Sequence, residues 1–454
     1  MNRRYNIYRD NIRINDELID DREFEDSGVN NWEEYTYYAT ALYGERESSP
    51  SRIITIIPNQ FAGGRGTAED PWQIETAEQL HRVRTFLGSE YSDMYFIQIS
   101  DIDLNIPPWN EDEGWQPIGP GSGEDAFQAN YDGSFYTIMG LTINRGNEAD
   151  QALFGTVDGN GFLKGIIMTD VTINTDGTGA GGIVGYLRGE GKIYKCAVDG
   201  SIVSSNQGGG IAGRIRGDSK IIRCFSTGEV RSTSSRAQVG GITGMAVNSA
   251  AIANCYSTMT VTGGERRIGG LVGSFRSDGR IINSYSTGLV RAVDEEPSEI
   301  GGLVGQEADA EAVNSYWNIE TSRTEQSALG EGRLTRQMTY PYDEETFIDW
   351  DFETIWQHDP YNINNNYPIL AYQLELIDPH DTPQVTSEII AIDGTDYISL
   401  TWEAIEDAVI YRIYSSEDPY AEDWGEPVVT EEISYREPVN NSFKKFFRVI
   451  ASAQ

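Results

Sequence analysis

The chain has 454 residues, room for more than one domain, and no apolar run approaches the roughly 18 residues needed to span a membrane. Membrane insertion is therefore not expected of it. Seventy-one acidic residues against 34 basic ones leave a formal charge of −37, which repels nucleic acid and anionic lipid and argues against both as partners.

The same acidity fits solubility, cation binding, or a saline or extracellular medium. Residues 1–30 are highly charged and lack the basic start and apolar core of a secretory signal. Within residues 1–57, Tyr5-Asn6-Ile7-Tyr8 and Tyr35-Thr36-Tyr37-Tyr38-Ala39-Thr40-Ala41 alternate like strands with one buried face. A layer of this kind with no second sheet leaves apolar area in water, so 1–57 is expected to be a partial module and the chain a piece of a longer one.

The next stretch, 58–376, is predicted to be a repeat array, with an N-terminal cap over 58–105. After Phe61-Ala62-Gly63-Gly64 and Asp70-Pro71-Trp72-Gln73-Ile74, Thr76 and Gln79 stand at capping-box spacing. The helix they open carries Leu80, Val83 and Leu87 on one face and suits a lid, since an open stack of strands exposes an apolar end. Asp101, Asp103, Glu111, Asp112 and Glu113 follow as the densest acidic stretch here. They lack the alternating ligand pattern and glycine of a Ca²⁺ loop, so a structural Ca²⁺ has no motif behind it and no cofactor is predicted.

The array itself is announced by a glycine phrase: Gly181-Gly182-Ile183-Val184-Gly185, then Gly209 to Gly213, Gly240 to Gly244, Gly269 to Gly273 and Gly301 to Gly305. The final glycines step by 28, 31, 29 and 32 residues, and Ala152-Leu153-Phe154-Gly155 is a degenerate earlier copy. A fixed period of this size means stacked units, each burying its apolar face against its neighbours. Ile193, Ile221, Ile252 and Ile281 recur at one offset and Ile202, Val230, Val261 and Val290 at another. Like side chains at equivalent places predict a parallel β-helix with one coil per repeat.

Three columns bear on chemistry. Cys196, Cys224, Cys255, Ser284 and Ser315 form a small-residue column whose cysteines lie 28 and 31 residues apart. That spacing suits neither a metal site nor a disulfide, and bore filling is preferred to a thiol site. Beside it runs Phe225, Tyr256, Tyr285 and Tyr316. Alternation turns this aromatic column outward, where it either braces the stack or offers rings to a sugar or a protein. These four are the candidate ligand-binding residues. Lys195, Arg223, Asn254, Asn283 and Asn314 precede the small column, and the last three read as an asparagine ladder satisfying a turn, a structural role.

Residues 330–376, with Leu334 to Met338, Ile348 to Phe352 and Tyr367 to Leu370, are expected to close the far end of the stack as a C-terminal cap. Residues 383–454 repeat the signals of the start: Tyr411-Arg412-Ile413-Tyr414 echoes Tyr5 to Tyr8, Phe446-Phe447-Arg448-Val449 follows it, and Tyr397-Ile398-Ser399-Leu400-Thr401-Trp402 puts Trp402 inside with Leu400 and Ile398. This end resembles the fibronectin type III family of small β-sandwiches, and 1–57 resembles part of the same module. The predicted fold is all-β: a parallel β-helix with a capping helix, flanked by a partial N-terminal and a C-terminal sandwich.

Gly269-Gly270-Leu271-Val272-Gly273, with Asn283-Ser284-Tyr285-Ser286-Thr287-Gly288 and Asn314-Ser315-Tyr316-Trp317-Asn318, resembles the GLUG repeat family over roughly 150–340. That resemblance implies a secreted or cell-surface bacterial protein, adhesion or display toward an extracellular glycan or protein, and no catalytic residue. His81, His358 and His380 are isolated, so no zinc-peptidase helix exists, and no Gly-x-Ser-x-Gly elbow or phosphate loop occurs. The alternative is a carbohydrate-active β-helix enzyme, a lyase or hydrolase, whose acids and bases would converge from neighbouring coils.

Overall fold

The computed structural model describes residues 61–376 except 233 and 294–297, most of 4–56, and the strands between 386 and 452. The expected joins at 57–58 and 383, and His380, lie outside the described residues. The central region is a parallel β-solenoid. Its walls are sheets of nine, twelve, six and four strands, and the six-stranded sheet takes one strand from each successive turn between Phe154–Val157 and Val304–Ala308.

Register follows the sequence columns. Ile193, Ile221, Ile252 and Ile281 are direct parallel neighbours, as are Ile202, Val230, Val261 and Val290. All eight are buried to within 3%. In-register stacking lets each apolar side chain cover its counterpart, so the bore is one continuous hydrophobic cluster.

The glycines serve close approach, not unusual dihedrals. A Cβ on Gly240 would lie 2.5 Å from the Thr243 carbonyl oxygen, and one on Gly273 2.5 Å from the Val239 nitrogen, backbone atoms that cannot swing away. The left-handed conformation sits elsewhere, at the turn column: Lys195, Arg223, Asn254, Asn283 and Asn314 have φ of 52°, 53°, 53°, 46° and 45°.

At the N-terminal end, helix Ala77–Arg82 starts as the sequence indicates, with the Thr76 hydroxyl accepting from the Gln79 N–H. The Gln79 side chain reaches one residue further back than a strict box, accepting from the Glu75 N–H at 2.7 Å. Leu80 and Val83 are fully buried in the solenoid core, and Leu87 packs on it.

The C-terminal cap departs from expectation. The last coil is closed by Trp317, Ile319 and Leu329, which join the main core, and by Glu331–Arg333, a final parallel strand on Tyr316–Asn318. Residues 335–372 do not lie over that end. They run back along the side of the stack, from Tyr367, whose hydroxyl meets Asn318 at 2.6 Å, to Tyr372, stacked on Phe135 and bonded to the Cys196 carbonyl.

The two ends share an antiparallel pairing. Tyr5 pairs with Ala41 and Ile7 with Ala39 in an antiparallel sheet, while Tyr411 pairs with Ala451 and Ile413 with Val449. At the C-terminal end two three-stranded antiparallel sheets are present, and Leu400, Trp402, Tyr411, Ile413 and Val449 form a cluster of their own. Trp402 is inside with Leu400, and Ile398 packs on the cluster. At the N-terminal end the described strands form one five-stranded sheet, on which Ile53, Ile54 and Ile56 are exposed.

Candidate functional site

The aromatic column is built as the coil stack dictates. Phe225, Tyr256 and Tyr285 stack with centroids 5.1 and 5.0 Å apart and planes 5° and 6° from parallel, and Tyr316 follows in register on the next coil. The rings point away from the bore. They are nevertheless covered, which overturns their expected exposure: Tyr256, Tyr285 and Tyr316 are 2%, 0% and 2% exposed, and Phe225 is half-buried.

The cover is the returning segment. Trp356 packs on Tyr256 and Tyr285, and Trp350 and Phe347 on Tyr285 and Tyr316. The stacked tyrosines and the tryptophans over them are hydrogen-bonded within this second core: the Tyr256 hydroxyl donates to Gln373 at 3.0 Å and the Tyr285 hydroxyl to the Pro368 carbonyl at 2.6 Å, while Trp350 and Trp356 donate to the Asn314 carbonyl and the Asn254 side chain. The physical reason is area. A ladder of aromatic rings is a large apolar surface outside the bore, each ring burying roughly 150–250 Å² when covered, and the chain leaving the last coil covers it. Burial accordingly pushes the hydroxyls of Tyr256, Tyr285 and Tyr372 well above the ordinary tyrosine range.

The small column does more than fill the bore. Cys196 N–H donates to the Cys224 sulfur and Cys224 N–H to the Cys255 sulfur, each at 3.4 Å; Cys255 N–H donates to the Ser284 oxygen at 3.0 Å and Ser284 N–H to the Ser315 oxygen at 3.2 Å. Each sulfur or oxygen in turn donates to the carbonyl two residues before it, on the near side of the left-handed turn. Thiol and hydroxyl are interchangeable here because each supplies one donor and one acceptor. All three cysteines are free and buried, and burial raises the Cys196 and Cys224 thiols far out of the reactive range.

Several charges of the coil exterior are paired. Asp132 meets Lys164 at 2.8 Å, Asp158 meets Arg188 at 3.2 Å, Asp150 meets Arg214 at 3.0 Å, and Glu311 meets Arg280 at 2.7 Å. Burial pushes the Asp150 carboxyl up, against the pull of Arg214, whose guanidinium also lies 3.9 Å from the Tyr186 ring centre. Three of the five entrance acids are occupied similarly: Asp101 accepts from the Thr137 N–H, Asp103 from the Asn105 N–H, and Glu113 pairs with Arg145 at 2.8 Å. Among the described residues no group of three or more histidine, cysteine or acidic side chains is placed to hold a metal ion. His81 is wedged among Trp109, Trp115 and Arg84, where burial and the arginines push its pKa down to about 4.

One surface feature escaped the sequence columns. The outer face of the nine-stranded sheet carries Lys164, Lys192 and Lys220, with Lys195 and Arg223 at the adjoining turn, all around Tyr194. The signal available was composition: these are four of only six lysines in the chain, within 57 residues of it.

No family model matches the sequence. A protein of Evansella cellulosilytica, provisionally described as a Gly-rich membrane protein, is 38% identical over 129 residues, covering 28% of this chain and 14% of that protein. Halomucin of Haloquadratum walsbyi is 27% identical over 377 residues, covering 73% of this chain and 4% of that protein. The chain thus spans a small part of either relative. A crystal structure from Bacteroides ovatus, provisionally assigned as an immunoglobulin A1 protease, matches with a TM-score of 0.55 and 23% identity over 69% of this chain and 96% of that one; at that identity the likeness concerns the fold. Fold and register make this chain a parallel β-solenoid protein. No helix among the described residues is long and apolar enough to cross a membrane.

Proposed function

We propose that this chain is a segment of a secreted or cell-surface bacterial-type protein in which a GLUG-like solenoid, set between fibronectin type III-like modules, spaces and displays binding surfaces toward an extracellular glycan or protein. The observation that carries this reading is that Asp132, Asp158, Asp150 and Glu311, carboxylates on the coil exterior, are each held by a lysine or arginine. A glycan lyase or hydrolase needs two acid–base groups converging on one bond, whereas these carboxylates are each tied to their own cation. The names of the two relatives, a Gly-rich membrane protein and halomucin, agree with an envelope or extracellular setting. The shared antiparallel pairing of Tyr5/Ile7 and Tyr411/Ile413 supports two modules of one kind. Phe225, Tyr256, Tyr285 and Tyr316 take a structural part in this reading, bracing the stack beneath the side segment.

The test is incubation of the chain with a panel of polysaccharides and surface proteins, reading both retention and new reducing or unsaturated ends. Retention without product is expected. Product release above a heat-inactivated control would refute the non-catalytic reading and favour the carbohydrate-active alternative.

A further inference from the structure

We propose that the lysine-rich outer face of the nine-stranded sheet is a binding site for an acidic polysaccharide, a chain carrying carboxylates or sulfates on pyranose rings. The proposal rests on the display reading above and names the partner chemistry and the residues.

Strand alternation builds the face. Ile193 and Ile221 point into the bore, so Lys192, Tyr194, Lys220 and Ile222 point out. Lys192 and Lys220 are direct neighbours on successive coils, and Lys164 is the neighbour of Tyr194 on the coil before. Stacking puts such neighbours about 4.8 Å apart, close to the advance of one sugar ring in an extended polysaccharide. Lys195 Nζ lies 5.6 Å and the Arg223 guanidinium 5.7 Å from the Tyr194 ring centre, so the ring gathers two further cations onto the same face.

Two observations separate this cluster from an ordinary solvated face. The first is pairing. Lys164 has Asp132, but Lys192 and Lys220, both exposed, make no ion pair among the described residues, in a chain where acids outnumber bases two to one. Asp351 on the side segment feels Arg223, and the turn acids Glu190 and Asp218 stand nearest in sequence to the two lysines. The second is backbone conformation. Lys195 and Arg223 occupy left-handed positions that the next three coils fill with asparagine, the residue that tolerates that region best after glycine. Cations are held where the turn alone favours Asn or Gly, which is where a surface demand shows through local strain.

The overall charge does not forbid an anionic partner. At physiological salt a field decays over about 8 Å, so a ligand docked on this face meets the cluster before the remainder of the chain. Flat sheet, ring and the in-register Lys192 and Lys220 ammonium groups suit a ribbon of acidic sugars, with Tyr194 adding apolar contact to a ring face.

The experiment measures binding of the intact 454-residue chain to polygalacturonate and chondroitin sulfate, with dextran and a single-stranded DNA oligomer as comparators. Expected are salt-sensitive binding to the acidic polysaccharides and none to dextran. Affinity should fall at least about tenfold in Lys192→Glu/Lys220→Glu, fall in Tyr194→Ala, and be kept in Tyr194→Phe. All variants should show an unchanged circular dichroism spectrum, because only outward side chains change. Equal affinity in the charge-reversed variant would overturn the site, as would DNA bound as tightly as polygalacturonate. Retention on another glycan or protein, indifferent to the lysine changes, would sink this site and leave the display reading standing; no retention on any ligand would sink both.

Discussion

Replacing Cys224 separates a hydrogen-bonding ladder from mere bore filling. Its sulfur accepts the Cys196 N–H at 3.4 Å and donates to the Ile222 carbonyl at 3.2 Å, in a site with no solvent access. Cys224→Ala strands that buried N–H, at a cost of about 1–3 kcal/mol, and removes a sulfur worth about 1 kcal/mol of burial, so a loss of about 2–4 kcal/mol is expected. Cys224→Ser keeps both roles, as Ser284 does natively with bonds of 3.0 and 2.8 Å, and should stay within about 1 kcal/mol of the parent. Cys224→Val offers the right bulk without an acceptor and should fare no better than alanine. Urea unfolding followed by circular dichroism gives the ranking, with equal slopes required before midpoints are compared, because a stacked array can lose coils separately. Amide exchange at Cys196 reports the orphaned group directly. If alanine matches serine, or valine exceeds serine, the column is filling and the ladder contributes nothing.

Gly273→Ala places a methyl 2.5 Å from the Val239 nitrogen and 2.6 Å from the Gly244 carbonyl oxygen, so it should destabilise by about 3 kcal/mol, read from the same urea midpoints; a neutral result would mean that the coils can separate at that corner. Trp356→Ala removes the ring over Tyr256 and Tyr285, and a loss of about 3–5 kcal/mol is expected, together with tetranitromethane modification of tyrosines that resist it in the parent. High pH should detach the side segment. The folded pKa values of Tyr256, Tyr285 and Tyr372 lie above an unfolded value near 10, so the stability they confer is complete below about pH 10 and is lost as pH climbs above it. Tyrosinate absorbance should therefore rise together with loss of the near-ultraviolet dichroism, and titration of all tyrosines at ordinary pH values without unfolding would contradict the burial.

The features legible in the sequence are those the stack repeats. Ile193, Ile221, Ile252 and Ile281 had to share a direction because neighbouring coils share a backbone, and the small column had to be buried because its aromatic neighbour was not in the bore. Thr76 and Trp402 were legible because a cap and an alternating strand are local patterns. The place of residues 335–372 was not, since Trp350, Trp356 and Tyr367 dock on coils up to 102 residues away in sequence, and nothing periodic in the segment says which coils. An outward-facing tyrosine ladder is equally compatible with water and with a cover of its own chain; alternation decides the face and cannot decide what lies on it. The cysteine hydrogen bonds were missed for a related reason, because size alone explains a small residue in a bore, and the polar role appears only once the left-handed turn beside it is seen.

Bore and exterior obey different constraints, and this explains where binding chemistry resides. In the bore one row keeps its shape through four coils, Ile193 to Ile281, because each member must cover the next. The exterior row beside it reads Lys192, Lys220, Ala251, Arg280 and Glu311 along the same registered strands. Its members need only avoid like-charge neighbours or find a pair, as Arg280 and Glu311 do. Lys192 beside Lys220 breaks even that rule, since like charges directly opposite destabilise adjacent strands. The stack tolerates the violation because coil register is set inside the bore. A solenoid can thus hold a cationic face over a few coils of an otherwise acidic surface, and the repeat that specifies the scaffold leaves that face unspecified.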